Sequence, residues 1–433
     1  YGGGNEYGYR LLLDPRPHVD FVFPPAGQPG SKSKFTLYGR NLPGGKASDF
    51  KIDGRPLQAL DVTIAVPAEN EAQDLDCATF VKSTETGMDA FAYRLTSSQG
   101  ASNPVLIGFA RQKSVVEQEP NNKPAESQTI ELPCEVQGQF YPRRDKDRFR
   151  FTAKKGDRFW IEVRSQQLGS PSYPVLLVLQ VTHDDEGQEQ YKDLQAVDDP
   201  GNDSNGGGHV FYTLRDDPSY RFVAPDDGEY LVTVRDLYGG AQQAPRSVYR
   251  LTLRAERPDY RLVAVPRAPS NDPRAPAADV WSLALRRGGA VLVEVYAFRR
   301  DGFEGAIEIT AQDLPQGVTA APAVIGPGQN STTLILTADD KAATWAGHFR
   351  LQGKSQIDGK EVTRPVRSGT TVFKPTVNNS PGPARLSRNL GLAVLGDEDA
   401  PFLVRVEQDK VFETARGGKI KIPLQAVRRG EFK

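Results

Sequence analysis

The sequence predicts an all-β protein, a tandem of β-sandwich modules, and three observations carry that prediction. Apolar and polar residues alternate with period two in many short runs. Gly, Pro, Asn and Asp interrupt those runs about every ten residues, as sandwich turns require. Two stretches of the chain recur later in the same order, which marks repeated modules.

The alternation is plain in Phe149-Arg150-Phe151, Phe159-Trp160-Ile161-Glu162-Val163, Tyr230-Leu231-Val232-Thr233-Val234 and Thr332-Thr333-Leu334-Ile335-Leu336. Each run presents one apolar face, and no segment keeps a helical period for more than two turns. The 41 Gly and 33 Pro are scattered at turn positions, so they punctuate strands and do not form a disordered tract. With 433 residues, 38% hydrophobic and 25% charged, the chain has material for about three domains of roughly 150 residues, each able to bury a core.

The first repeat links the two halves of the chain. Tyr1-Gly2-Gly3, Tyr9-Arg10-Leu11 and Arg16-Pro17 recur as Tyr238-Gly239-Gly240, Tyr249-Arg250-Leu251 and Arg257-Pro258. Residues 1–14 are therefore expected to be the last strand of an upstream module. In the second repeat Arg287-Gly288-Gly289, Val291 to Val295, Arg299-Arg300 and Phe303 recur at a constant offset of 129 as Arg416-Gly417-Gly418, Ile420 to Leu424, Arg428-Arg429 and Phe432. The expected modules are residues 15–113, 114–256 and 257–375. Residues 376–433 are expected to hold a Pro/Asn/Ser-rich linker, Pro375 to Pro383, and the start of a second copy of the third module. On this reading the chain is a segment of a larger exported protein.

Charge excludes one class of partner. The 54 Lys and Arg against 55 Asp and Glu give a formal charge of −1, with no Lys/Arg run longer than two. A nucleic-acid binder needs an excess of cations on one face to displace counterions from phosphates. No apolar stretch approaches the roughly 20 residues of a membrane span. The two cysteines, Cys77 and Cys134, read either as separate semi-buried thiols or, in an oxidising compartment, as a disulfide between neighbouring modules.

The sharpest chemical signal is a set of oxygen donors. Glu117, Glu119, Asn121 and Asn122 place four such side chains within six residues, and Asp145 and Asp147 form an acidic turn entering the next strand. Calcium takes six to eight oxygen ligands, so clustered carboxylates and amides are the pattern it needs. The competing reading has Asp145 and Asp147 capping a turn and pairing with Arg143, Arg144 or Arg148. A second acidic stretch, Asp198 to Gly206, lacks both EF-hand and repeat-type spacing and reads as a solvated loop.

Catalysis has little to build on. There is no Gly-x-Ser-x-Gly elbow and no His-Glu-x-x-His helix, and His18, His183, His209 and His348 stand apart from one another. Trp160, Trp281 and Trp345 read as core residues before they read as a ligand-binding face. The chain is expected to be no enzyme by itself.

Residues 114–256 resemble the bacterial pre-peptidase C-terminal domain. The carriers are Glu117-Gln118-Glu119-Pro120-Asn121-Asn122, Gly138, Asp145-Lys146-Asp147-Arg148-Phe149, Ala153-Lys154-Lys155-Gly156-Asp157, Pro225-Asp226-Asp227-Gly228-Glu229-Tyr230 and Tyr249-Arg250-Leu251. The resemblance implies a small jelly-roll-like sandwich appended to exported proteins. It also implies that the Glu-x-Glu-x-Asn-Asn linker and the following Asp pair supply calcium ligands. Residues 15–113 resemble an IPT/TIG-type immunoglobulin-like module through Val22-Phe23-Pro24, Gly27, Gly30 and Leu37-Tyr38-Gly39-Arg40-Asn41-Leu42. Residues 257–375 resemble bacterial Ig-like domains through Asp313-Leu314-Pro315-Gln316-Gly317-Val318.

The functional expectation is a structural or adhesive, non-catalytic segment of a large secreted or cell-surface bacterial protein, stiffened by calcium at the 117–122 junction. Its expected partners are the neighbouring modules of the same chain, with self-assembly or an extracellular polymer beyond them. The alternative is a substrate- or polymer-binding arm of an exported hydrolase.

Overall fold

A computed structural model of the chain describes residues 14–69, 71, 80–198, 211–213, 217–240, 244–267, 282–371, 382–408 and 410–429. Among them there is no α-helix, only strands and three short 3-10 turns, and no helix is long and apolar enough to cross a membrane. The first repeat's early copy, Cys77, His209, Trp281 and nearly all of the acidic stretch 198–206 lie outside the described residues.

The strands form three sandwich bodies. In the first, His18–Phe23, Lys32–Arg40, Arg55–Ala65 and Lys46–Ile52 make one sheet, and Ala26–Gly27, Val105–Phe109 and Ala90–Tyr93 make the other. Alternation sends Phe35 and Leu37 inward, against Ile64, Phe91, Ile107 and Phe109. The second body stacks two five-stranded sheets. One runs Lys113–Val116, Cys134–Gln139, Val248–Arg254, Arg158–Arg164, Ser219–Val223. The other runs Gln128–Thr129, Asp147–Ala153, Gly228–Asp236, Pro174–His183, Glu189–Val197. Phe149, Phe151, Tyr230, Val232 and Val234 fill the space between them. The period-two pattern of the sequence thus becomes the inner face of each sheet.

The third body is a connected set of eleven strands, joined at one edge by Phe80–Lys82 of the first body, around one core that includes Tyr260, Val293, Val295, Leu334, Leu336 and Phe349. The 129-residue repeat has a conformational counterpart here. Gly288 and Gly417 occupy equivalent turns and both adopt left-handed backbone, with φ of +60° and +80°, a region open to glycine without penalty.

One boundary differs from the sequence expectation. Residues beyond 383 were expected to open a separate copy, yet Pro383–Ser387 pairs with Lys360–Thr371, and Leu390–Asp399 pairs with Leu283–Arg287 and with the start of Trp345–Ile357. Leu390, Leu392 and Val394 are buried in the third core. Their alternation gives this strand an apolar face, and the open edge of the third body is where that face leaves water. Only the hairpin Phe402–Val406 with Leu424–Arg428 stands apart as a separate sheet.

The bodies also share side chains. Val81, Met88, Ala90 and Leu106 of the first join Phe211 of the second and Val263, Val265, Tyr296, Phe298, Ala384 and Leu386 of the third in one apolar cluster. Arg250 of the second body bonds Glu135 within it and donates to the Phe109 carbonyl of the first at 2.7 Å.

Phe349 is fully buried in the third core. Phe349→Ala should cost about 3–5 kcal/mol of stability in chemical denaturation, the usual range for emptying such a site. A loss below about 1 kcal/mol would show that this core is not sealed.

Candidate metal centre

Strand geometry creates the site. Asp147 opens the strand Asp147–Ala153 and shares its inward face with Phe149 and Phe151. Period two therefore turns a carboxylate toward the core, where Asp147 is wholly inaccessible to solvent. The turn before it carries Asp145, whose Oδ2 accepts the Tyr141 N–H at 2.9 Å and whose Oδ1 accepts the Lys146 N–H at 3.0 Å. These bonds fix the carboxylate beside Asp147.

The other donors arrive on the segment leaving the first body. Strand Lys113–Val116 runs parallel to Cys134–Gln139 at the edge of its sheet. Gln128 closes that edge with its side-chain amide, accepting the Gln118 N–H at 2.9 Å and donating to the Val116 carbonyl at 3.2 Å. The chain is thus held in register up to Glu117. Glu117 Oε1 accepts the Gln139 N–H at 2.7 Å, and its Oε2 accepts the Tyr249 hydroxyl at 2.9 Å. Glu119 Oε2 accepts the Asn121 N–H at 2.9 Å, which folds the segment back onto the turn. Asn122 Oδ1 accepts the Lys146 N–H at 3.1 Å and so ties this segment to the acidic turn.

Close approach makes Gly138 necessary here. A Cβ at that position would lie 2.2 Å from Glu117 Oε2 and 2.3 Å from the Tyr249 hydroxyl. Neither Gly138 nor Tyr249 stood out as site residues in the sequence. Their signal was only that both recur in the motifs of the resembled domain.

Of the six residues singled out from the sequence, Glu117, Glu119, Asp145 and Asp147 form one group of like charges, Asn122 bonds the turn, and Asn121 is buried on the segment between. The carboxylates of Glu119, Asp145 and Asp147 each offer an oxygen within 4.8 Å of the others. Glu117 faces the group from the Tyr249 side, while Asn122 accepts from the Lys146 N–H and also bonds Asp145. The Tyr249 hydroxyl donates to Glu117 Oε2 and also faces the Asp147 carboxylate, whose two oxygens have no other hydrogen-bonding neighbour among the described residues. The Asn121 side chain is fully buried, and neither its Oδ1 nor its Nδ2 has a partner. Orphaned polar atoms of this kind are rare in a folded chain because each forfeits its hydration.

Two of the arginines expected to compete for the acids, Arg143 and Arg148, turn their side chains elsewhere. Arg143 donates to the Gly240 carbonyl, the Arg144 N–H donates to the Gly239 carbonyl at 3.1 Å, and Arg148 donates to the Asn122 carbonyl. Among the described residues none of the three bridges Asp145 or Asp147.

The result is a buried group of like charges. Burial, with the neighbouring Glu117 and Asp145 charges, pushes Asp147 well above the usual carboxylate range. Burial lifts Glu117 to about 8, against the hydrogen bonds from Tyr249 and the Gln139 N–H. Asp145 rises to about 6, through burial and then the charge of Glu119. Chemically, this is an all-oxygen pocket that favours protons or a hard cation and repels anions.

Other residues of interest lie apart from it. Cys134 is a free thiol in the second core, pushed up to about 12 by burial, and so a poor nucleophile. His18, His183 and His348 are exposed. Trp160 is half-buried and donates to Glu256 Oε1 at 3.3 Å, and half-buried Trp345 packs on the third core.

No curated protein matches the chain. Among solved structures, the pre-peptidase C-terminal domain of a collagenase from Bacillus anthracis aligns with 17% identity and a TM-score of 0.20, covering 31% of this chain and all of that one. Residues 145–236 match the family described as the bacterial pre-peptidase C-terminal domain, a range that holds Asp145 and Asp147 while Glu117 to Asn122 precede it. Over residues 145–236 the central body of this all-β chain is similar to the bacterial pre-peptidase C-terminal domain.

Proposed function

We propose that this segment is a non-catalytic structural or adhesive part of a large exported bacterial protein, in which a calcium ion stiffens the joint between its first and second bodies. The observation that carries the reading is the buried Asp147 carboxylate, grouped with Asp145 and Glu119 so that an oxygen from each lies within 4.8 Å of the others. The matched domain supports a non-catalytic role and an extracellular setting, where calcium is available in the range that exposed modules use.

Asp147, Asp145, Glu119, Asn121 and Glu117 would hold the ion. It would supply the positive charge that lets these carboxylates ionise out of water. The donor set fits calcium by its chemistry, since every candidate atom is oxygen and no His or Cys takes part. The mechanical consequence follows from chain connectivity. Glu117, Glu119 and Asn121 follow directly on Lys113–Val116, the strand by which the chain leaving the first body enters the second, and Asp145 and Asp147 lie on the acidic turn of the second. The turn that carries Asp145 also presents Tyr141 edge-on to Phe50 of the first body, with ring centroids 5.3 Å apart. An ion bound by both segments would hold this entry segment against the second body and so stiffen the chain where it joins the first.

Calcium should raise the melting temperature of the full chain over that in EGTA, with stabilisation of about 2.7 kcal/mol at a concentration one hundred times Kd. Asp147→Asn should abolish the response while leaving the EGTA value equal or higher, because a buried charge has been removed. Identical melting curves of the wild-type chain in calcium and EGTA would sink the proposal.

The same groups set a pH dependence. Their folded-state affinities for protons are raised, from 4.5 to about 8 for Glu117 and from 3.8 to about 6 for Asp145. The folded chain therefore holds more protons than the unfolded one across that interval. Stability in EGTA should fall as pH rises from about 4 to about 8. Calcium should suppress the fall, since it binds the ionised form. Parallel stability-versus-pH curves with and without calcium would contradict this account.

A further inference from the structure

The first body sends a polar excursion deep into the other two. Phe80–Lys82 pairs with Pro383–Arg385 and so extends the sheet of the third body, and the Ser83 N–H donates to the Gly382 carbonyl at 2.9 Å. The 3-10 turn Ser83–Glu85 follows, and all three of its polar residues are buried. Lys82 reaches Gln166 Oε1 of the second body at 3.0 Å. Gly87 lies flat on the Phe298 ring, where a Cβ would come within 2.5 Å. Met88 enters the apolar cluster shared by all three bodies.

Backbone and charge are then read together. The Gly87 carbonyl accepts from Arg300 at 2.5 Å, and the Met88 carbonyl accepts from Arg367 at 2.7 Å. The Asp89 carboxylate, fully buried, takes Arg261 through Nε at 2.7 Å and Nη2 at 2.8 Å, Arg300 at 2.8 Å, and Arg111 of its own body at 3.0 Å. Two of these three guanidiniums belong to the third body. The nearby positive charges hold Asp89 well below the usual carboxylate range.

We propose that residues 80–90 are an internal latch, seated in a receptor formed mainly by the third body, which makes the three sandwiches one mechanical unit. Several features distinguish a latch from a casual contact. A strand is added at a sheet edge, two carbonyls are read by arginines, and a carboxylate is clamped bidentately out of water. Breaking such a pair exposes an unpaired charge on both sides, so the contact opens all at once or not at all. Because the carboxylate is shielded from solvent, screening by salt is weak. The latch is independent of any bound ion.

Calorimetry and small-angle scattering on the full chain test this. The wild type should unfold in one cooperative transition and keep one radius of gyration from low to about 1 M salt. Asp89→Asn, which preserves shape and removes charge, should split the transition in two and enlarge the radius. If that variant fails to fold, a cross-link decides. Val81 and Ala384 are direct partners across the antiparallel pair, so V81C/A384C should form a disulfide in nearly full yield under mild oxidation. Separate transitions in the wild type, an unaltered single transition in Asp89→Asn, or failure of the double-cysteine chain to cross-link would each overturn the proposal.

Discussion

A carboxylate leaves water only in the company of positive charge or protons, and that constraint organises this molecule. Asp89 and Asp147 are both fully buried, and they meet it in opposite ways. Asp89 is surrounded by Arg111, Arg261 and Arg300 and stays ionised. Asp147 has acids for its main charged neighbours and no salt bridge among the described residues, so it favours protons. The first arrangement is complete as it stands. The second is chemically complete only with protons or an added cation.

Paired charges also sit where the bodies meet. Asp89 joins the first and third, Arg250 carries Glu135 of the second onto the Phe109 carbonyl of the first, and Arg254 of the second pairs with Asp301 of the third. Such pairs contribute less to net stability than their number suggests, because desolvation offsets most of the attraction. Their stronger effect is on geometry, since a guanidinium fork accepts a carboxylate in few orientations. The apolar cluster around Met88 and Phe298 supplies the burial, and the ionic contacts select one docking of the three sandwiches.

Much of this was legible in the sequence where the signal was local. Phe149 and Phe151 announced their strand by alternation alone, and the six oxygen donors announced themselves by density. Long-range consequences were not legible. Arg143 and Arg148 lie close in sequence to Asp145 and Asp147, yet the turn aims both side chains at backbone carbonyls. Tyr249 completes the site from a strand distant in sequence, positioned by its register opposite Gly138. Strand Leu390–Asp399 alternates as any strand does, and nothing local says that its apolar face belongs to the preceding body. The excursion at 80–90 is polar, as loops are, and only its tertiary partners make it buried.

The central claim is that the acidic turn of the second body is a calcium site that ties the chain entering from the first body to it. Anomalous diffraction from crystals of this chain grown in calcium tests it most directly. The account predicts one strong peak about 2.3–2.6 Å from a carboxylate oxygen of Asp147, with Asp145 and an oxygen from the 117–121 segment in the same coordination shell. A map with no peak there, or with an arginine head group filling the space beside Asp147, would contradict it.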